Sequence, residues 1–547
     1  MTPFFNDVFT EMAVLLLLSA IIGIIGMRLR QPLIVAFIAV GIIVGPSVLG
    51  WVAENDQVDL LAQMGIALLL FVVGLKLDLH IIRTMGPVAL ATGLGQVFFT
   101  SLIGYLIAIA LGMTPITAVY VAVALTFSST IIIVKLLSDK REVDALHGRI
   151  AIGFLIVQDL VVILTMIALT ALGETNESSH LGWEAIKVLL SGVFFIVSIG
   201  LLMRYVLTPL MHQLARSAEL LILFSVAWAI ALSAIGEHLG FSSEVGAFLA
   251  GVSLASTPFR EAIAARLVSL RDFLLLFFFI DLGARLELAT LGDQVWPAIL
   301  LSLFVLVGNP IIVMSIMGFM GYRKRTGFLA GLTVAQISEF SLILGALGLS
   351  LGHINTDTMS LITLVGLITI SVSTYLILYS HPIYERISPL LSVFERKSTR
   401  REDARNLNME GDGYDVILFG LGRFGTGIAS ELQRRNHHVL GIDFDPDLVR
   451  QNKANIFKLH YGDAEDPEFL LSLPLGKVHS VINTVREKHV NLALLHSLRE
   501  QGFTGQIAVT ADNPYDAAQL KAAGADHVLL PYADAATEAV SDLFGRQ

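Results

Sequence analysis

The chain has 547 residues, of which 55% are hydrophobic and 15% charged, with a formal net charge of −10 and no cysteine. Soluble proteins carry about 25% charged residues, so this balance points to a polytopic membrane protein. The acidic charge and the absence of a long basic tract exclude a nucleic-acid binder, and the absence of cysteine excludes disulfides, thiolate metal sites and cysteine nucleophiles.

The N-terminus opens with Asp7 and Glu11 where a secretory leader would be basic, and its apolar run leads into further apolar runs. It therefore reads as a first membrane span. Counting it, thirteen apolar segments can be marked, at 9–27, 32–50, 58–78, 86–112, 115–137, 148–172, 184–206, 218–236, 243–256, 270–287, 295–320, 326–350 and 358–379. The segment at 243–256 is short and needs its neighbours to span. Basic residues collect after the odd-numbered segments: Arg28 and Arg30; Lys76, His80 and Arg83; Lys140, Arg141 and Arg149; Arg204 and Arg216; Arg260, Arg266 and Arg271; Arg323, Lys324 and Arg325; Arg386, Arg396 and Lys397. The loops after even-numbered segments are acidic or neutral. This bias predicts an outside N-terminus and a cytoplasmic C-terminus.

The sixth segment carries Gln158 and Asp159 near its middle. An ionised carboxylate at that depth costs on the order of 2.5–3.5 kcal/mol, which makes Asp159 a candidate for holding a cation or a proton. The alternative is a structural Asp paired with a neighbouring helix. An odd count also allows segments 1–6 and 8–13 to be inverted repeats, with segments 5 and 12 as counterparts. Both interrupt their apolar runs with polar clusters, Thr126, Ser128, Ser129 and Thr130 in one and Thr333, Gln336, Ser338, Glu339 and Ser341 in the other. Such clusters suit broken helices facing a site, although Ser and Thr also serve ordinary helix packing. Glu339 can pair across the break or hydrogen-bond a neighbour. Asp281 and Arg285 stand four residues apart and predict a self-satisfied ion pair. Lys135, at the end of segment 5, can snorkel to the cytoplasmic face.

Residues 386–411 read as a charged linker, and 412–547 as an α/β domain with strands at 414–420, 439–443, 456–460, 478–484, 506–510 and 527–531. The first strand runs into Gly420-Leu421-Gly422-Arg423-Phe424-Gly425, which opens a helix. Asp443 ends the second strand, eighteen residues beyond Gly425. This is the context that makes a GxGxxG run a dinucleotide fingerprint: the glycines let backbone approach a phosphate, and the acid accepts ribose hydroxyls. Arg423 can add a phosphate contact. Asp445 is the less well placed alternative to Asp443. The competing reading is a nucleotide-free domain of the same fold.

Together these parts resemble one family, the Kef-like monovalent cation/proton antiporters with a C-terminal TrkA-N (RCK-type) domain. The resemblance rests on GIIVGPSVLG at 41–50, GIALLLFVVGLKL at 65–77, ALTFSSTIIIVKLL at 124–137, Gln158–Asp159, EVGAFLAGVSLA at 244–255 and LTVAQISEFSLIL at 332–344. In the C-terminal domain it rests on GLGRFG and Tyr461-Gly462-Asp463-Ala464, which adds Asp463 to the candidate nucleotide residues. It implies a homodimer of polytopic α-helical chains, about thirteen spans each in inverted six-helix repeats, with two broken helices crossing beside Asp159. It further implies elevator-like alternation of Asp159 between a proton and a cation. Removal from water disfavours the ionised form of a carboxylate, which lets protons compete with cations near neutral pH. Gln158 stands where electrogenic relatives have a second Asp, which implies electroneutral exchange. The Gln-Asp form is associated with potassium-handling members. Relatives often carry Lys or Arg on segment 11, where this chain reads Val307-Gly308-Asn309-Pro310, and TADN at 510–513 lacks the arginines of glutathione-gated members, so glutathione is not expected as a regulator.

The expectation is thus a potassium/proton antiporter of a bacterial inner membrane, not an enzyme. Its ion and proton site would hold Asp159, Gln158, Thr126, Ser128, Ser129, Gln336 and Glu339. An adenine nucleotide (NAD(H), AMP or ATP) would bind as a regulator at Gly420, Gly422, Arg423, Phe424, Gly425, Asp443 and Asp463. Sodium/proton exchange on the same fold, a nucleotide-gated potassium channel and a membrane-tethered NADH enzyme are the rival readings. The channel reading lacks a TVGYG-like filter.

Overall fold

A computed structural model describes residues 8–46, 48–51, 56–76, 87–140, 142–143, 145–173, 201–214, 217–238, 243–255, 257–286, 291–394, 413–443, 458–462, 464, 467–470 and 473–545. The chain divides into two compact units: Met1–Lys140, Ile150–Met317 and Gly327–Phe394 form one, and Arg141–Arg149, Gly318–Thr326 and Glu395–Gln547 the other.

The first unit is helical. Its helices are α1 (Val8–Arg28), α2 (Leu33–Val44), α3 (Asp56–Lys76), α4 (Pro87–Ala110), α5 (Pro115–Ala124), α6 (Thr130–Asp139), α7 (Leu146–Gly173), α8 (Thr208–Leu214), α9 (Ala218–His238), α10 (Ser243–Ala255), α11 (Arg260–Ala284), α12 (Leu291–Leu303), α13 (Asn309–Phe319), α14 (Lys324–Leu332), α15 (Glu339–Ser350), α16 (Thr356–Leu378) and α17 (Ser380–Leu391). Seven of the described helical stretches are long and apolar enough to cross a membrane. Their outward positions are apolar, as at Leu17, Phe98, Leu106 and Leu223, while Gln96, Thr100, Gln158 and Asn309 are fully buried. A water-soluble bundle would show the reverse.

Helices lie at the positions of twelve of the thirteen expected segments; the seventh, at 184–206, falls mostly outside the described residues. Three local readings change. Arg260, Arg266 and Arg271 are not in a loop but on the first turns of α11, because the helix begins at Arg260, and Arg271 is buried against the carboxylate of Asp272 at 2.7 Å. Segment 11 is not one regular helix: a π turn, Phe304–Gly308, separates α12 from α13. The expected linker begins inside α17, which is followed by a 3₁₀ turn to Phe394; 395–412 lies outside the described residues.

Two groups of helices can be traced by their neighbours. α3 packs on α10 and α11, α11 on α2, and α9 on α10; separately, α4 packs on α5, α5 on α15, and α16 on α12 and α15. The first group is closed by glycines. A Cβ at Gly251 on α10 would overlap the carbonyl of Phe71, and one at Gly74 on α3 that of Phe248. Gly41 on α2 and Gly283 on α11 form the same reciprocal arrangement. With lipid outside, there is no hydrophobic gain from helix pairing, so close backbone approach through small residues supplies the attraction.

The second unit contains a six-stranded parallel sheet in the order β3-β2-β1-β4-β5-β6, from β1 (Val416–Phe419), β2 (Val439–Asp443), β3 (Lys458–Tyr461), β4 (Ser480–Asn483), β5 (Gln506–Thr510) and β6 (His527–Leu529). Its helices are α18 (Arg423–Arg434), α19 (Pro467–Leu470), α20 (Lys488–Glu500), α21 (Pro514–Ala522) and α22 (Pro531–Phe544). The order reverses between β1 and β4, which places the crevice of a doubly wound sheet beyond the ends of those two strands.

Replacing Gly251 with Leu is expected to lower the detergent melting temperature sharply or abolish folding, since neither backbone can yield. Gly23→Ala, whose Cβ would meet Leu33 at an ordinary 3.5 Å, is expected to leave it within a degree or two, about 0.5 kcal/mol. Fluorescence-detected size-exclusion melting measures both.

Candidate functional site

Segments 5 and 12 are both broken in mid-run. α5 ends at Ala124 and α6 begins at Thr130; α14 ends at Leu332 and α15 begins at Glu339. Each second half has its own cap: Ser129 Oγ accepts from Ile132 N, and Ser338 with Ser341 forms a reciprocal capping box. The two breaks therefore expose two helix starts and two helix ends in the interior of the unit. Helix starts favour negative charge and helix ends favour hydrogen-bond donors.

The carboxylates lie at the starts. Asp159 Oδ2 accepts from Thr130 Oγ1 at 3.0 Å, on the first residue of α6. Glu339 is itself the first residue of α15, only 3% exposed, and accepts from Ser338 Oγ at 3.2 Å. Amides serve the ends. Asn309 Nδ2 donates to Leu125 O at 3.2 Å and to Val334 O at 3.3 Å; Gln96 Nε2 donates to Thr126 O at 3.0 Å. Where the sequence has Asn309 in place of a basic residue, a neutral amide supplies these donors.

Asp159 lines a cavity of about 770 Å³ with Thr130, Arg260, Arg271 and Glu339. A second cavity of about 700 Å³ is lined by Arg30, Lys135, Asp139, Asp272 and again Glu339. Both run between the two helix groups, the first beside the start of α11 and the second beside the ends of α1 and α6. Lys135 accordingly is exposed, facing this cavity.

The expected ion-site residues are brought together, but they are not equivalent. Gln158 is bonded to the first break and to α4: its Oε1 accepts from Ser128 N at 3.1 Å and its Nε2 donates to Gln96 Oε1 at 2.7 Å. Thr126 Oγ1 donates to Ala122 O and meets Ser101 Oγ, and Ser129 serves as a cap. Ser128 Oγ and Gln336 Nε2 are buried without a hydrogen-bond partner among the described residues. Gln336 Oε1 accepts from Ser373 Oγ at 2.8 Å, so reversing its amide would turn an oxygen inward without losing that bond. Asp159 and Glu339 are thus two carboxylates on the lining of one cavity. Asp281 and Arg285 form the expected pair at 2.8 Å, extended to Asp59 at 3.5 Å. Gln96, Thr100 and Asn309 were not singled out as site residues by sequence; polar residues inside apolar runs were the available signal.

In the other unit, Gly420 (φ +78°) turns the chain out of β1, and a Cβ at Gly425 would overlap the carbonyl of Gly420. Gly422 is the N-cap of α18, has no side-chain cap, and would point a Cβ into open space. The first N–H groups of α18 are therefore presented to a crevice, as an anion site requires. Asp443 Oδ2 accepts from Leu421 N at 2.5 Å, so the acid expected at a ribose also fixes the glycine loop. Arg423 is exposed, and Phe424 40% exposed. Asp463 and Asp445 lie outside the described residues. Across the crevice Thr484 Oγ1 donates to Gly420 O at 2.7 Å, and behind it buried Asn483 and Asn491 hydrogen-bond at 2.9 Å.

Residues 14–378 match the model of the transmembrane sodium/hydrogen exchangers, and residues 416–531 match the TrkA-N domain. The chain is 27% identical over 507 residues to the putative K(+) efflux antiporter KefB of Alkalimonas amylolytica, covering 92% of this chain and 76% of that one. It is 24% identical over 528 residues to the putative cation/proton antiporter YbaL of Escherichia coli K12, covering 94% and 93%. To the glutathione-regulated potassium-efflux system protein KefC of Escherichia coli O6:K15:H31 it is 27% identical over 514 residues, covering 93% and 80%. Broken apolar helices around an interior carboxylate and a parallel sheet with a glycine loop thus meet the family match across both units: the chain belongs to the transmembrane sodium/hydrogen exchanger family, as a Kef-like monovalent cation/proton antiporter carrying a C-terminal TrkA-N domain.

Proposed function

We propose that the protein exchanges potassium for protons, one for one, at Asp159. The observation that carries this reading is a half-buried carboxylate held by the first residue of one broken helix, in a cavity it shares with the first residue of the other. Among the described residues the Gln158–Asp159 pair contributes a single carboxylate, and Gln158 is an amide bound to backbone. Exchanging one proton for one monovalent cation there leaves the site's charge unchanged between its loaded forms. Potassium is favoured by the name of the relative from Alkalimonas, a K(+) efflux antiporter. Sodium is the alternative cargo.

The two helix groups support an elevator-type mechanism. The glycine-closed group is rigid by backbone contact, the broken helices belong to the other, and both cavities follow the seam between them. On the Lys/Arg bias the ends of α1 and α6, beside the second cavity, face the cytoplasm, and the likeness to the Kef-like antiporters favours a bacterial inner membrane and a homodimer. The glycine loop and Asp443 would bind an adenine nucleotide, NAD(H), AMP or ATP, whose pyrophosphate or phosphate would meet the start of α18. Such binding regulates transport and carries no chemistry of its own.

In proteoliposomes with an imposed pH gradient, potassium is expected to collapse the gradient with wild type and not with Asp159→Asn, and clamping the membrane potential with an ionophore is expected to leave the rate unchanged. Response to sodium alone would replace the cargo. Cation flux that persists in the variant without proton movement would instead favour a channel.

Gly422→Val should keep the fold, since its Cβ meets nothing within 4 Å and its backbone is extended, while filling the anion's place. At nucleotide concentrations about 100 times Kd the wild type should gain about 2.7 kcal/mol against unfolding of the domain, and the variant none. Thermal melting with NADH, AMP and ATP in turn also identifies the ligand.

A further inference from the structure

Between Gln158 and the second break runs an unbroken series of side-chain hydrogen bonds. Ser128 N donates to Gln158 Oε1 (3.1 Å), Gln158 Nε2 to Gln96 Oε1 (2.7 Å), and Gln96 Nε2 to both Thr126 O (3.0 Å) and Thr100 Oγ1 (3.1 Å). Thr100 Oγ1 donates to Asn309 Oδ1 (3.1 Å), and Asn309 Nδ2 donates to Leu125 O (3.2 Å) and Val334 O (3.3 Å). Gln96, Thr100, Gln158 and Asn309 are all 0% exposed.

The direction of every bond is determined. Reversing Asn309 would aim its oxygen at two carbonyl oxygens, and reversing Gln158 would aim its N–H groups at the N–H of Ser128. Thr100 accepts from Gln96 and donates to Asn309, so its hydroxyl transmits the orientation from one amide to the next. Asn309 reaches the centre because the π turn Phe304–Gly308 precedes it and Pro310, which has no N–H, follows it. Its amide bonds to backbone of both breaks.

We propose that Asn309, oriented by Thr100 and Gln96, is a positioning residue for ion exchange: this neutral tie fixes the two unwound segments against each other and so holds the cation's oxygen donors in place. Three backbone groups of the first break are taken by the tie, while the hydroxyl of Ser128 in its middle has no hydrogen-bond partner among the described residues. Side chains serve those three groups, and the hydroxyl is kept for the ion. The proposal rests on Asp159 as the exchange site.

The test separates a displaced site from a damaged fold. Misfolding lowers the number of working transporters, and so the maximal rate, with KM unchanged; misplaced donors raise KM. Thr100→Val removes one hydroxyl, and Asn309→Asp replaces the N–H donor with an acceptor, each at nearly constant volume. Both are expected to raise the KM for potassium about tenfold in proteoliposomes, the size of effect of one well-made buried hydrogen bond. Thr100→Ser, which keeps the hydroxyl, is expected to stay within about twofold of wild type. Asp159→Asn is run beside them. If it is inactive and Thr100→Val and Asn309→Asp keep the wild-type KM, the tie is overturned and the exchange site stands. If Asp159→Asn still exchanges potassium for protons, the exchange site is overturned, and the tie with it.

Discussion

A helix can be unwound inside an apolar bundle only if its released N–H and C=O groups find other partners. In this protein two helices are unwound, and that requirement organises what surrounds them. Each resumed helix carries its own cap from the sequence next to it, Ser129 for α6 and Ser338 for α15. The released carbonyls have no such local solution, and Gln96 on α4 and Asn309 on α13 come from distant parts of the chain to serve them. The carboxylates fall at the helix starts and the amide donors at the helix ends, which is the order that peptide dipoles favour.

This division separates the bonds that hold the backbone from the carboxylate that lines a cavity. The bonds that hold the unwound backbone are neutral amide and hydroxyl bonds, which do not change with pH. Asp159 accepts from the hydroxyl of Thr130 at 3.0 Å and lines a cavity. Around it, the glycine-closed helices α2, α3, α10 and α11 make contacts that leave no room even for a methyl group, so that part of the unit has little freedom to adjust. The seam between the two helix groups is where the cavities lie, and it is where relative movement would cost least.

The TrkA-N domain uses the same elements for another purpose. The start of α18 is left uncapped beside a glycine loop, and the carboxylate of Asp443 steadies that loop through the N–H of Leu421. Thr484, Asn483 and Asn491 brace the far side of the crevice with side-chain bonds to backbone. The capped helix starts of the membrane unit have carboxylates beside them, and the uncapped start in the crevice suits a phosphate.

Much of this could be read from the sequence because it depends on local periodicity. Apolar runs, the alternation of basic and acidic loops, polar clusters at matching positions in segments 5 and 12, and a strand-glycine-helix fingerprint are properties of neighbouring residues. Strands β2 and β5 fell on the expected residues, 439–443 and 506–510, because β-branched and apolar runs bounded by polar residues mark them. The boundary of α11 was misjudged because a helix that leaves the apolar layer keeps its hydrogen bonds while its composition turns charged. Gln158 looked like an ion ligand because it adjoins Asp159, and only the fold shows its amide bonded to Ser128 and Gln96. By itself, then, the sequence determined the two-unit plan, the broken helices and the carboxylate beside one of the breaks. Tertiary structure alone decided which polar groups hold the backbone. Thr100, Asn309 and Val334 are separated by 209 and 25 positions, and no local pattern encodes hydrogen bonds between groups that only folding brings within 3.3 Å.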